Sequence, residues 1–421
     1  MKNSLDRLKK STLFKGSLFA IFSFFNRGVG FVLLLILANY IAPAEYGQLS
    51  LFNTVVMFVS YFTAMSTEGY VDISYFKQDK EKFKSDITAI ISIGLAVSTV
   101  LFFIVLVFGN WLGEVLDLSR NLLFIAIVIS LCQVLYRIAL SFRRVREEVV
   151  KYGIMSCGYA ILHFGVSLLL VVTFRMDWLG RVYAQLGCVT LFAILSVVIF
   201  SKQKLFCFTF NKDDLKRILF WGIPLIPHVA TTWLRQGCDR YIINYHYELV
   251  EVGLFSFALN MANVIEMIGS AFNSTNSVNI FKTLSRKDIG NEQKVKSLRK
   301  QSREMLIIYV IASLLVVIGG VVLIPLLIPK YVGSIPIFLL LAVYGLFRCV
   351  YYIYCNYLFY WDLNKALMYI TFGSAVFHLG LSLIFTRFSL LCTAAIYVVT
   401  QIMINIFVIA IAKKRIKVEL S

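Results

Sequence analysis

His228, Thr232, Arg235 and Asp239 step by four, three and four residues along an apolar stretch that runs from Arg217 to Lys282. On a helix turning 100° per residue they fall on nearly one line. Asn260, Asn263, Glu266, Ser270 and Asn273 share a second face at the same spacing. Such stripes, inside segments apolar enough to cross a bilayer, must point at protein or water, because lipid offers them no partner. Two chemistries suit them. Histidine and carboxylate can carry a proton or hold a cation, which makes Glu266, His228 and Asp239 candidates for coupling to H+ or Na+. Arginine and amide groups can hold a polar or anionic cargo, which makes Arg235, Asn260 and Asn263 candidate cavity residues. Alternatively Arg235 and Asp239, at i and i+4, pair with each other. Pro224 and Pro227 each lack a backbone donor, so the first helix is expected to be kinked or broken below His228.

Two further arginines lie deep in apolar runs. Arg27 stands 12 residues beyond Lys15, about 18 Å into a hydrocarbon core about 30 Å thick. Arg348 lies about 22 Å from the outer end of its own run. An arginine at such depth costs at least about 2.5–3.5 kcal/mol, so each calls for a buried acid or an anionic cargo. Arg137 is nearer an end and can snorkel to the interface. His163 and His378 join His228 near the middle of their runs, where each can titrate or simply bond a neighbouring helix.

The elements that must position these groups follow from composition. Of 421 residues 59% are hydrophobic and 15% charged, with a mean hydropathy of +0.79. That is an all-α polytopic membrane protein, since no soluble domain of this length hides so much apolar surface. A net charge of +18 would suggest nucleic acid in a soluble protein. Here the basic residues act as topology signals, and no nucleic-acid partner is expected. Twelve hydrophobic spans are expected, at about 16–41, 47–68, 87–108, 121–141, 152–174, 179–200, 217–243, 252–275, 305–328, 335–359, 365–386 and 390–412. With both termini cytoplasmic, 31 Lys and Arg fall on the inner side and five on the outer. The eight cysteines form no C-x-x-C, read as packing residues and imply no metal site. No Gly-Lys pair, H-E-x-x-H or G-x-S-x-G occurs, so neither an enzyme nor a cofactor is expected. The drive would be an ion gradient, the substrate's own gradient or another protein. The first apolar run is a full span without a cleavage motif, so no cleavable signal peptide is expected.

The chain also echoes itself. Glu45-Tyr46-Gly47-x-x-Ser50 returns as Glu251-Val252-Gly253-x-x-Ser256, and Val71-Asp72-Ile73 as Val278-Asn279-Ile280, at offsets of 206 and 207. Six spans per half is an even number, so the copies share orientation. Two six-helix bundles, 1–208 and 209–421, related by a pseudo-two-fold along the membrane normal with a site between them, are expected.

GIPLIPHVATTWLRQGCDRYII followed by EVGLFSFALNMANVI, and the N-terminal FNRGVGFVLLLILANYIAPAEYGQLSLFN, resemble helices seven and eight and helices one and two of polysaccharide repeat-unit flippases. These are the O-antigen and capsule translocases of the multidrug/oligosaccharidyl-lipid/polysaccharide exporter superfamily. The resemblance spans the whole chain in length and span count. It implies transfer of undecaprenyl-diphosphate-linked oligosaccharide across a bacterial inner membrane by alternating access, with polymerase and other polysaccharide-assembly proteins as partners. It also implies that Arg27, Arg235 and Arg348 face the anionic head group. Lipid II flippases of the same superfamily carry two extra helices, for which this chain has no room. Two alternatives stand beside it. A cation-coupled drug antiporter is disfavoured by the deep arginines, and a polysaccharide polymerase by the short outer loops.

Overall fold

The structure, a computed structural model, describes residues 12–207 and 212–420; the side chains of residues 12–17, His228 and Val229 also lie outside the described residues. The described chain is helical throughout and holds no strand. Its helices are α1 (Thr12–Leu37), α2 (Pro43–Ala64), α3 (Tyr70–Lys77), α4 (Lys80–Leu116), α5 (Arg120–Val145), α6 (Val149–Leu168) and α7 (Asp177–Lys202). Then follow α8 (Lys212–Gly222), α9 (Ile226–Thr232), α10 (Cys238–His246), α11 (Leu249–Ser285), α12 (Asn291–Leu327), α13 (Ile335–Tyr360), α14 (Asn364–Phe385) and α15 (Leu390–Glu419). Runs of Leu, Ile, Phe and Val favour this outcome, because in lipid a helix satisfies every backbone group within its own segment.

Among the described residues ten helices are long and apolar enough to cross a membrane, and α2 with Thr67–Lys77, bent by 57°, makes an eleventh. The remaining expected span, 217–243, is not one helix. After Gly222 a tight turn at Ile223–Leu225 carries Pro224, α9 restarts around Pro227, and a wide π turn occupies Trp233–Gly237 before α10. The two prolines break the helix where their missing donors require it. Twelve uninterrupted spans are therefore not what the described chain contains.

The chain divides into two compact units, one of residues 1–41 and 48–233, the other of 42–47 and 234–421. In the first, Val71, Ile87, Ile138, Phe200 and Ile218 belong to one buried apolar core. α8 belongs there because Ile218 joins that core, Arg217 pairs with Asp86, and the Ser85 hydroxyl donates to Asp214 at 2.7 Å. In the second unit Ile280, Leu358, Ile404, Val408 and Ala412 form the core between α11, α13 and α15.

The repeated glycines explain why residues 42–47 join the second unit. A Cβ on Gly47 would strike the Leu249 carbonyl, and one on Gly253 the Pro43 carbonyl. Each glycine thus meets the residue four before the other, a reciprocal contact that matches the 206-residue offset between the two copies. Only glycine lets the starts of α2 and α11 approach this closely.

Candidate functional site

In the second unit Glu266, Arg348 and Arg235 converge on the tyrosines of one helix, Glu266 and Arg348 partly buried and Arg235 buried. Glu266, on α11, is paired with Arg348 of α13 at 2.8 Å and accepts a hydrogen bond from the Tyr352 hydroxyl at 2.7 Å. Arg348 also donates to the Tyr344 hydroxyl at 3.1 Å. Lower on the same two helices the Asn356 amide donates to Asn273 at 2.8 Å. Glu266 and Asn273 of the stripe predicted on α11 thus meet α13, on which Tyr344, Arg348, Tyr352 and Asn356 stand four residues apart.

Arg235 sits inside the π turn and is 8% exposed. It donates to Gln401 of α15 at 3.1 Å, and its guanidinium lies 5.8 Å from the centre of the Tyr344 ring. Its Nε donates to nothing, and no carboxylate pairs with it among the described residues. Gln401 in turn donates to Asn405, which donates to the Phe347 carbonyl at 2.8 Å. Among the described residues all of Arg235's partners are neutral, so no carboxylate there compensates its buried charge.

Asp239 does not take that charge. It is fully buried and accepts from His378 Nε2 at 2.8 Å, while His378 Nδ1 meets the Thr400 hydroxyl at 3.1 Å. The His378 ring stands edge-on to Tyr397, 4.8 Å between centres. Arg235, inside the π turn, and Asp239, just beyond it, thus take different partners and do not pair with each other. The same turn type recurs at functional sites in other helices.

The remaining candidates are more dispersed. The Asn260 amide donates to the Tyr46 hydroxyl at 2.7 Å, locking α11 to the 42–47 segment. Asn263 is half-buried and makes no side-chain hydrogen bond among the described residues. Arg27 is exposed on α1 in the first unit, next to Asn26, whose amide donates to Ser156 at 2.7 Å. His228 lies outside the described side chains. His163 bonds Arg181 at 2.8 Å, and Arg137, its side chain 41% exposed, pairs with Glu68 at 3.0 Å.

Gln401, Asn405, Tyr344 and Tyr352 were not among the predicted site residues. Thr393, Tyr397, Thr400, Gln401 and Asn405 do recur at helical spacing in an otherwise apolar run. The face argument used for Asn260 to Asn273 applies to them equally.

A family profile described as polysaccharide biosynthesis protein matches residues 14–278. The chain belongs to this family. Two relatives come from Haemophilus influenzae. The "Lsg locus putative protein 1" is 24% identical over 342 residues, covering 80% of this chain and 82% of the relative. An "uncharacterized membrane protein" is 23% identical over 365 residues, covering 85% and 87%. Among solved structures, a lipid II flippase MurJ in an inward closed conformation superposes with a TM-score of 0.74 at 13% identity, over 94% of this chain and 87% of that one. An inward-facing multidrug MATE transporter gives 0.63 at 12%, over 94% and 95%. This member of the family thus shares the fold of these flippase and MATE structures, and its described residues form ten helices long and apolar enough to cross a membrane, or eleven with the bent pair.

Proposed function

We propose that the protein flips an undecaprenyl-diphosphate-linked oligosaccharide from the cytoplasmic to the outer leaflet of a bacterial inner membrane, both its termini being cytoplasmic. The observation that carries this reading is Arg235, a buried guanidinium with only neutral partners among the described residues. A cation kept uncompensated at such cost is ready for an anion that arrives and leaves. A diphosphate suits it, because the guanidinium fork meets phosphate oxygens two at a time. Arg348 differs, since Glu266 already neutralises it. Arg27, Asn260 and Asn263 are the other cavity residues in this reading, and 1–208 and 209–421 are the two lobes whose rearrangement alternates access. Polymerase and further polysaccharide-assembly proteins would take the product.

The test is flipping of a fluorescent diphosphate-linked oligosaccharide in proteoliposomes. Arg235→Lys should keep part of the rate and Arg235→Ala should lose it; an Arg235→Ala protein that flips normally would reject the reading.

Asp239, buried against His378, supports coupling to H+ or Na+ better than Glu266, whose charge Arg348 absorbs. The expected result is that an imposed gradient of one of these ions speeds flipping several-fold in the wild type and not in Asp239→Asn. A wild type indifferent to both gradients would remove coupling from the scheme.

A further inference from the structure

Away from the network around Arg235, three helices of the second unit enclose a cavity of about 870 Å³ at their charged ends. α12 contributes Arg299 and Arg303, and α15 contributes Lys413 and Lys417. Each pair stands at i and i+4, so each helix turns two cations onto one face. None of the four pairs with a carboxylate among the described residues, and no carboxylate lines the cavity. Their immediate neighbours behave otherwise. Lys300 pairs with Glu304 at 3.9 Å and Arg415 with Glu419 at 3.0 Å, on the same two helices but outside the cavity. The acids have been spent on the cations that face elsewhere. Beneath the four free charges the walls turn apolar with Leu306, Ile416 and the ring of Tyr357.

We propose that this cavity binds the head of an anionic phospholipid carrying two phosphates, of the cardiolipin type. Basic pockets between transmembrane helices hold such heads at the membrane surface, where each Lys or Arg adds its own attraction. Two cation pairs on opposite walls match two phosphates. The volume exceeds what one phosphate fills, and the apolar walls below receive the first methylenes of the chains. A sugar-bearing ligand fits less well. The neutral polar groups are hydroxyls only, and two of these, Ser302 and Tyr357, lie within 3.5 Å of one another. Bound there, the lipid ties α12 to α15 and stabilises the folded form that holds it.

The experiment uses the purified full-length protein in detergent, titrated with cardiolipin, phosphatidylglycerol or phosphatidylcholine, and read by native mass spectrometry and thermal unfolding. Cardiolipin should bind at least about tenfold more tightly than phosphatidylcholine and raise the unfolding midpoint. Arg299→Gln/Lys413→Gln should lose about tenfold in cardiolipin affinity. Lys300→Gln/Arg415→Gln, which removes the same charge outside the cavity, should retain it. Equal losses in the two double variants would mean diffuse attraction and overturn the proposal. So would tighter binding of a polyprenyl-diphosphate-linked sugar than of cardiolipin at these residues, which would make the cavity a substrate dock. If the double variant does not purify, the single Arg303→Gln applies the same comparison, and unchanged cardiolipin binding by it would overturn the proposal.

Discussion

The two units treat charge in opposite ways. In the first, charged residues at the helix ends are matched across neighbouring helices. Asp72 meets Arg144 at 2.6 Å, Glu68 meets Arg137 at 3.0 Å, and Asp86, with no exposed surface, is closed off by Arg217, which also holds Asp214 at 2.8 Å. In the second, surface pairs such as Lys300–Glu304 and Arg415–Glu419 also occur, but mid-helix Glu266 meets Arg348, Asp239 meets His378, and Arg235 has only neutral side-chain partners among the described residues. A matched pair fastens helices and resists change, because separating it strands a charge. A lone cation among neutral groups fastens little and costs stability wherever it sits. The difference separates residues that hold the fold from those held ready for a ligand.

The largest expected effect falls on the lone cation. Arg235→Met keeps the bulk of the side chain and removes only the charge. Flipping should drop on the order of a hundredfold, the loss of a desolvated charge contact worth about 3 kcal/mol. The unfolding midpoint should stay or rise, since no ion pair is broken. A midpoint that falls along with the activity would place Arg235 with the structural charges and erase the contrast.

Arg217→Met supplies the opposite case. It leaves Asp86 buried with only Ser74 as a side-chain partner, and removing one member of a buried pair typically costs about 3 kcal/mol. The protein should unfold several degrees earlier, while the fraction that remains folded flips at its normal rate. Loss of rate in folded protein would show that the pair takes part in transport.

Much of this was legible in the chain. Apolar runs of membrane length and the lopsided lysines and arginines announce a polytopic helical protein, and Pro224 and Pro227 announce the break in span 217–243. The repeated Glu-x-Gly marks a duplication, though not that the two glycines touch each other. What stayed hidden depends on partners far along the chain. Spacing alone offers Arg235 and Asp239 to each other at i and i+4, whereas they in fact meet Gln401 and His378, which lie far along the chain. Glu266 looked free because its neutralising arginine lies on a different helix.

Glu266 and Arg348 test the middle ground. If they are only a matched pair, Glu266→Gln or Arg348→Met alone should destabilise by about 3 kcal/mol. The double variant Glu266→Gln/Arg348→Met should recover most of that, since two neutral groups replace two charges, and should flip nearly as fast as wild type. A double variant that is stable but inactive would return Glu266 to the ion-coupling role first suggested by its place on the stripe.

The smallest effect sharpens the first unit's side of the contrast. Glu148, between α5 and α6, is paired with Arg143, with Arg146 at 3.2 Å and with Lys151 at 3.5 Å. Burial alone would raise its pKa, but the Arg143 hydrogen bond and the three cations outweigh it and hold the carboxyl below its ordinary 4.5. A carboxyl whose pKa is lowered by folding adds stability above the unfolded pKa, and that stability is lost as pH falls through the folded value. Glu148→Gln should therefore be less stable than wild type at pH 7, by on the order of 1 kcal/mol for so interfacial a cluster. The gap should hold at pH values above the unfolded carboxyl's pKa and close as pH falls through the lower folded one, as wild type protonates and comes to resemble the variant. Thermal unfolding of both proteins across that range reads the gap directly. A gap that persists unchanged at pH 3 would mean that the glutamine disturbs packing, and that the charges around Glu148 contribute nothing to holding α5 against α6.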